Sequence, residues 1–298
     1  MTDFMSLWDD GLMAVDDARH NEIGEFLKAR RVEIRPEDVG LPAAANSRRR
    51  ARGLRREEVA ALAAISTDYY SRIEQGRRFA PWSTLDAIAR VLHIDQAGRD
   101  YLMELSTTEP TKPRRRTTRP VSAHLRRLVS DLATTPALVL GRRMDILAWN
   151  PAAEALLLTD FATLPEQERN YAHLVFTQHR VRALYVDWES TGRLCVYQLH
   201  MEVARDPHDK RLAALVGELS VRDVDFRRWW GKHQVASRNR GVKKFNHPEV
   251  GELTLDWDTL TCADDPDHRL ITWNAETGTD SHERLLALRS RSKSGSAS

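Results

Sequence analysis

The chain has 298 residues, 41% of them hydrophobic and 30% charged, with 45 Lys and Arg against 43 Asp and Glu; this suits two modest domains, each long enough for its own core. No run of eighteen apolar residues and no charged-apolar-small leader occurs, so the expectation is a soluble cytoplasmic protein without membrane contact. Cys195 and Cys262 stand alone and suggest neither a zinc site nor a disulfide framework, so no metal is expected.

The near-neutral total hides an asymmetry. Residues 21–120 carry 20 Lys and Arg against 14 Asp and Glu, whereas residues 121–298 carry 24 against 24, so the basic half reads as the nucleic-acid half. Residues 1–20 set five aspartates against Arg19 and read as a disordered acidic extension or a start codon placed too early.

The first domain is expected over 21–106. Ile23, Phe26 and Leu27 give an entering helix at i, i+3, i+4 spacing. A long insert follows, ending in a run with Arg48, Arg49, Arg50, Arg52, Arg55 and Arg56 and no acid. Such a run is either a solvated face or a set of contacts to phosphates and an adjoining minor groove. Next, EEVAALAAISTDYYSRIEQG at 57–76 reads as two short helices around a tight turn. Glu57 and Glu58 suit a helix N-terminus, and Val59, Ala60, Leu62 and Ala63 form its inward stripe. Ser66 or Thr67 caps the second helix, Tyr70 and Ile73 point inward, and Gly76 stops it. Pro81 breaks the following loop, Ser83 is expected to cap a helix burying Leu85, Ile88, Ala89 and Leu92, and a last helix from Gln96 buries Tyr101, Leu102 and Leu105.

Ala63, Ser66, Glu74 and Gly76 fall where the lambda-repressor and Cro type of helix-turn-helix, the XRE family, has its pattern, and the segment resembles that family. The resemblance implies that Thr67, Asp68 and Arg72 read base edges and that Tyr69 meets backbone or a thymine methyl, with Arg77 and Arg78 joining the basic run on the DNA backbone. One such unit covers a half-site, so the expected partner is a double-stranded operator with an inverted repeat, bound by a homodimer. The alternative is a purely structural helical hairpin.

TTEPTKPRRRTTRP at 107–120 cannot build a core and reads as a linker. Beyond it, over 121–288, Leu125, Leu128, Val129 and Leu132 give an amphipathic helix, and 136–140 and 146–149 give strands around a turn. Pro151 then opens an Ala- and Leu-rich helix. LCVYQLHMEV at 194–203 fits a helix or a short buried strand, 210–219 repeats helically, and 251–257 and 269–274 alternate as late strands. Residues 289–298 are polar and low in complexity, expected as a disordered tail.

The phrase DILAWNPAAEALL resembles the opening of PAS sensor domains. RNYAHLVF, LYVDWES, FRRWWGKHQV, HPEVGELTL and LITWNAE follow in the order found in MmyB-like regulators. The resemblance tips 194–203 to helix. It implies an α+β chain, an all-α lambda-repressor-like domain followed by a PAS-like domain with an antiparallel sheet, with a small hydrophobic ligand such as a fatty acid in the second domain and repression as the habitual role. Trp149, Trp188, Trp229, Trp230 and Trp273 are core or pocket residues, with Asn150, Arg227 and His233 as polar groups for a ligand head and Arg227 or His233 as carboxylate partner. The alternative is a second domain that dimerises or contacts a protein without a ligand. Eleven histidines show no catalytic spacing, so no enzyme is expected.

Overall fold

A computed structural model describes residues 6–42, 53–106, 120–206, 209–231, 240–262 and 265–295. The chain is α+β: helices fill its N-terminal part, and all strands belong to one antiparallel sheet further on. The described residues cluster into two units. One takes those up to 106 with 200–206, 209–213 and 229–231, and the other takes 120–199, 214–228 and the rest from 240 onward.

In the first unit α1 spans Ser6–Glu33, a 3-10 turn spans Pro36–Val39, and α2 (Arg56–Leu62), α3 (Thr67–Glu74), α4 (Trp82–Val91) and α5 (Gln96–Ser106) follow. The expected inward residues Phe26, Leu27, Val59, Ala60, Tyr70, Ile73, Leu85, Ile88, Tyr101 and Leu102 are all buried. Three expectations need correction. Residues 6–20 are helical rather than disordered, since a helix with no internal proline extends by adding one hydrogen bond per residue. Leu62, placed on the inward stripe, is 40% exposed because α2 ends there. Ser83 does not cap α4, which begins a residue earlier behind an extended Pro81.

A buried carboxylate holds these helices together. Glu74 near the end of α3 accepts from Arg31 Nε at 2.7 Å and Nη2 at 2.8 Å, and from Arg56 Nε at 2.9 Å. Arg31 Nη1 also donates to the Leu54 carbonyl at 2.8 Å. Burial pushes the Glu74 carboxyl up, but the Arg31 hydrogen bonds and the charges of Arg31 and Arg56 bring it below its ordinary value. α1 comes so close that a Cβ on Gly24 would lie 2.5 Å from the Glu74 carbonyl oxygen, a separation only glycine allows.

In the second unit α6 (Ala123–Asp131) precedes β1 (Ala137–Leu140) and β2 (Ile146–Trp149), and α7 (Pro151–Leu156), α8 (Tyr171–Thr177) and α9 (His179–Leu184) follow. Then come α10 (Trp188–Arg205), α11 (Lys210–Arg222) and α12 (Val224–Gly231), whose residues 200–205, 210–213 and 229–231 are assigned to the first unit, and after them β3 (Arg240–His247), β4 (Gly251–Cys262), β5 (Asp265–Asn274) and α13 (Asp280–Gly295). The ambiguous stretch at 194–203 is helix, and α13 carries regular structure to 295, well into the expected tail. The sheet order is β2-β1-β5-β4-β3, every pair antiparallel. Side chains alternate between its faces. Ala137, Val139, Ala148 and Leu270 share one face and pack with Val121 and Val129 of the α6 region. Register puts Leu138, Leu140, Lys243, Trp257, Thr259, Arg269, Ile271 and Trp273 on the other.

Two stability tests follow from the first unit. Glu74→Gln leaves Arg31 buried without its charge partner and should cost ~3–5 kcal/mol by chemical denaturation. The wild-type contribution is present above the ordinary carboxylate value and lost as pH falls through the lower folded one. An unchanged midpoint would refute the role given to this carboxylate. Ala64, exposed between α2 and α3 at φ 56, is in left-handed backbone, so Ala64→Gly should raise stability by ~0.5–1 kcal/mol, and a lower melting temperature would contradict the strain.

Candidate nucleic-acid interface and ligand cavity

α2 and α3 meet through a turn of four residues. Ser66 has extended backbone and its Oγ accepts from Tyr69 N at 3.1 Å, capping α3 as expected. With Tyr70, Ile73 and Glu74 buried, the 3.6-residue period turns Thr67, Asp68 and Arg72 to solvent, while Tyr69 is half-buried beside them. Arg72 Nε lies 3.0 Å from Asp68 Oδ2, so two of the expected base-reading groups are paired with each other one helical turn apart.

The basic residues fare differently. Arg77 and Arg78 are exposed just past Gly76, whose φ of 69 makes the αL stop. Arg55 is exposed, with Nη1 3.2 Å from Glu57. Arg56, expected on the DNA backbone, is exposed and pairs at 2.9 Å with the buried Glu74. Arg48, Arg49, Arg50 and Arg52 lie outside the described residues.

The second unit contains a cavity of about 50 Å³ over the face of the sheet that carries Trp257 and Trp273. Leu140, Thr259, Arg269, Ile271 and Lys243 from the strands line it. So do Met144 of the β1–β2 turn, Tyr171 of α8, and Leu194 with Gln198, four residues apart on one face of α10. Lys243 Nζ donates to Thr191 Oγ1 at 3.0 Å and lies 5.3 Å from the Tyr185 ring and 5.2 Å from the Trp257 ring. Burial pushes this amine down to about 8, against the opposing pull of Cys195 and Asp187. Cys195 is pushed up to about 12, again by burial. Arg269 donates to Gln198 Oε1 and, at 3.2 Å, to the Arg142 carbonyl. Tyr171 and Tyr185 share a hydrogen bond of 2.7 Å.

Of the residues expected around a ligand, Trp273 is on this lining; six others among the described residues are not, and they have other structural partners or positions. Asn150 caps α7 through Ala153 N at 2.9 Å, accepts from Ala137 N at 3.1 Å, and donates to the carbonyls of Leu132 and Thr135 at 2.7 and 2.8 Å and of Val129 at 3.3 Å. Trp149 packs edge-on to Phe161 with the Arg169 guanidinium over its ring. Trp188 donates to the Val175 carbonyl beneath the Arg182 guanidinium, 3.3 Å above. Arg227 is exposed and donates to Ser220 O at 3.0 Å. Trp229 and Trp230 belong to the first unit: Trp229 is buried, and Trp230 stacks on His200 with centroids 3.8 Å apart. His200 in turn lies 3.3 Å from Glu22, which accepts from Tyr101 Oη at 2.5 Å. His233 lies outside the described residues. Alternation could have found part of the true lining, since Arg269, Ile271 and Trp273 are spaced by two in a strand read from the sequence. Lys243 sits in β3, whose charged Lys-Lys step conceals it.

Among the described residues no helix is long and apolar enough to cross a membrane, and no group of three or more His, Cys, Asp or Glu could hold a metal ion. An exposed recognition helix with basic neighbours, and an α+β unit enclosing a mostly apolar cavity, define a DNA-binding transcription regulator with a ligand-binding domain. The comparisons agree: a helix-turn-helix domain family matches residues 44–102, and the MmyB-like transcription regulator ligand binding domain matches residues 121–288. The chain belongs to the MmyB-like transcription regulators. Comparison with curated proteins gave no match.

The Lys243 site predicts a pH signature. Below about 8 the amine is charged both folded and unfolded, and its burial cost is fully present; between about 8 and its ordinary 10.5 the unfolded chain holds more protons, so stability from this group rises with pH. Lys243→Met should melt higher than wild type at pH 7.5, and the gap should narrow at pH 9.5. A gap independent of pH would rule out the perturbed amine.

Proposed function

We propose that the protein is a sequence-specific regulator that binds an inverted-repeat operator as a homodimer, represses where that operator overlaps a promoter, and is tuned by a small apolar molecule in the cavity of its second unit. The observation that carries the DNA half is the outward set Thr67, Asp68 and Arg72 on a capped helix whose opposite face is fully buried. Such a helix enters the major groove by its N-terminal residues. Arg72 must leave Asp68 to reach a guanine edge, and Asp68 is then placed to accept from a cytosine amine. Arg55, Arg77 and Arg78 supply sequence-independent phosphate contacts.

The ligand half rests on the lining. Leu140, Met144, Leu194, Ile271, Trp257 and Trp273 offer apolar surface, and a few polar groups among them can orient a guest. A fatty acid-like ligand would find its head-group partner in Lys243 or Arg269 rather than Arg227. The ligand shifts DNA affinity only by as much as it prefers one arrangement of the protein over the other.

Fluorescence anisotropy on an operator selected from random duplexes tests the DNA half. Arg72→Ala should cost ~10-fold or more on operator and little on random duplex, whereas Arg77→Ala should weaken both alike and reduce the salt slope by about 1. Equal losses on both duplexes for Arg72→Ala would remove it from base reading. Extraction of the purified protein, with DNA affinity measured before and after, tests the ligand half.

A further inference from the structure

The sheet face that packs with α6 is covered over one half only. α6 lies with Ala137, Val139, Ala148 and Leu270, whereas over β3 and β4 the same face is open: Val242 is 60% and Leu260 56% exposed, and Arg240, Lys244, Glu252 and Asp256 are exposed with them. Register and alternation put these on one side, since Val242 lies opposite Asp256, Lys244 opposite Thr254 and Arg240 opposite Asp258, while the buried Leu253, Leu255 and Trp257 lie on the other.

A wet face of an antiparallel sheet usually mixes its charges, so that opposite signs meet across the strands. Here the signs are sorted by strand. β3 shows Arg240 and Lys244 and has no acid; β4 shows Glu252, Asp256 and Asp258 and has no base. Among the described residues none of these five is in an ion pair, even where Arg240 and Asp258 stand opposite each other. A basic row beside an acidic row is complementary to itself after a half-turn about an axis running along the strands between them: β3 of one copy then lies over β4 of the other, twice. A half-turn about an axis across the strands sets basic row on basic row, and so does pairing at the β3 edge. That edge is also occupied, because the Lys244 carbonyl accepts from Val186 N at 3.0 Å and Tyr185 bridges to Phe245.

Resting on the reading of the protein as a homodimer, we propose that the open β3–β4 face is a dimer contact, made face to face with the same face of a second copy, each basic row lying on the other's acidic row and Val242 covered between them. The paired stretch of the two strands measures roughly 26 Å by 10 Å, less than the ~800 Å² a side of a stable complex. The contact is therefore weak in free solution and is strengthened where neighbouring operator half-sites hold two copies together.

Sedimentation velocity of the full chain over a hundredfold range of micromolar concentration, with and without the selected operator duplex, tests this. One variant reverses the basic row, Arg240→Glu with Lys244→Glu, and another reverses the acidic row, Glu252→Lys with Asp256→Lys. Wild type should self-associate, and each variant alone should associate at least tenfold more weakly, because like rows then meet. An equimolar mixture of the two variants should associate as wild type does, since each reversed row now meets its opposite on the other chain. Mixing changes neither chain's own fold, so this recovery separates a contact between copies from damage within one. Association that neither variant weakens, in solution or on the duplex, overturns the face assignment and leaves the homodimer standing on another surface. Weakening in both variants without recovery on mixing overturns the pairing of rows. A monomer at every concentration and on the duplex overturns the homodimer reading and this contact with it.

Discussion

The helix-turn-helix depends on a single buried carboxylate. Glu74 belongs to α3, yet its side chain faces away from the solvent-facing Thr67, Asp68 and Arg72 and is clasped by Arg31 from α1 and Arg56 from the start of α2. Removing a carboxylate from water is costly unless charge and hydrogen bonds compensate it, and here the compensation comes from two other helices. The rotation of α3 about its axis is thereby set, and with it which residues face outward. Arg31 reaches Leu54 with its remaining arm, so the same cluster also fixes the chain entering α2. The solvent-facing residues and those that hold the fold lie on opposite faces of one eight-residue helix.

The second unit makes a comparable division with a sheet. Strand alternation gives one face to aliphatic packing with the α6 region and gives the other the larger and more polar set of Trp257, Trp273, Thr259, Lys243 and Arg269. A tightly packed face needs side chains that fill space in ordinary rotamers. The opposite face mixes indoles with long cations whose heads seek partners, and that is where the packing leaves a cavity.

Much of the first unit was legible because its signals are local. Apolar spacing, the Ser66 cap and the Gly76 stop lie within a turn of the residues they control, and the helices came out where those signals placed them. The exceptions have physical causes: Leu62 is the last residue of its helix, and Pro81 starts a helix that Ser83 was expected to open. The cavity was hidden because its residues come from β1, β3, β4, β5, α8 and α10, and the set converges only through the strand order. Aromatic content drew attention to Trp273, which lines the cavity, and also to Trp149, Trp188 and Trp230, which pack against a guanidinium or an imidazole instead. Arg56 has a partner the sequence did not show, because a basic run advertises charge without saying which member a buried acid will pair with.

Asn150 gives the second unit a fixed point. Its carbonyl oxygen takes two backbone N–H groups and its amide nitrogen serves three carbonyls, so one side chain joins the end of α6, the approach to β1, the exit of β2 and the start of α7. All these partners lie within 21 residues in sequence, so this corner closes over short loops at small entropic cost. It is a hub for early folding and late unfolding, and its amides should exchange with solvent among the last of the unit. With its carbonyl and its amide both engaged by backbone, the Asn150 side chain ties this corner to two strands and two helices at once.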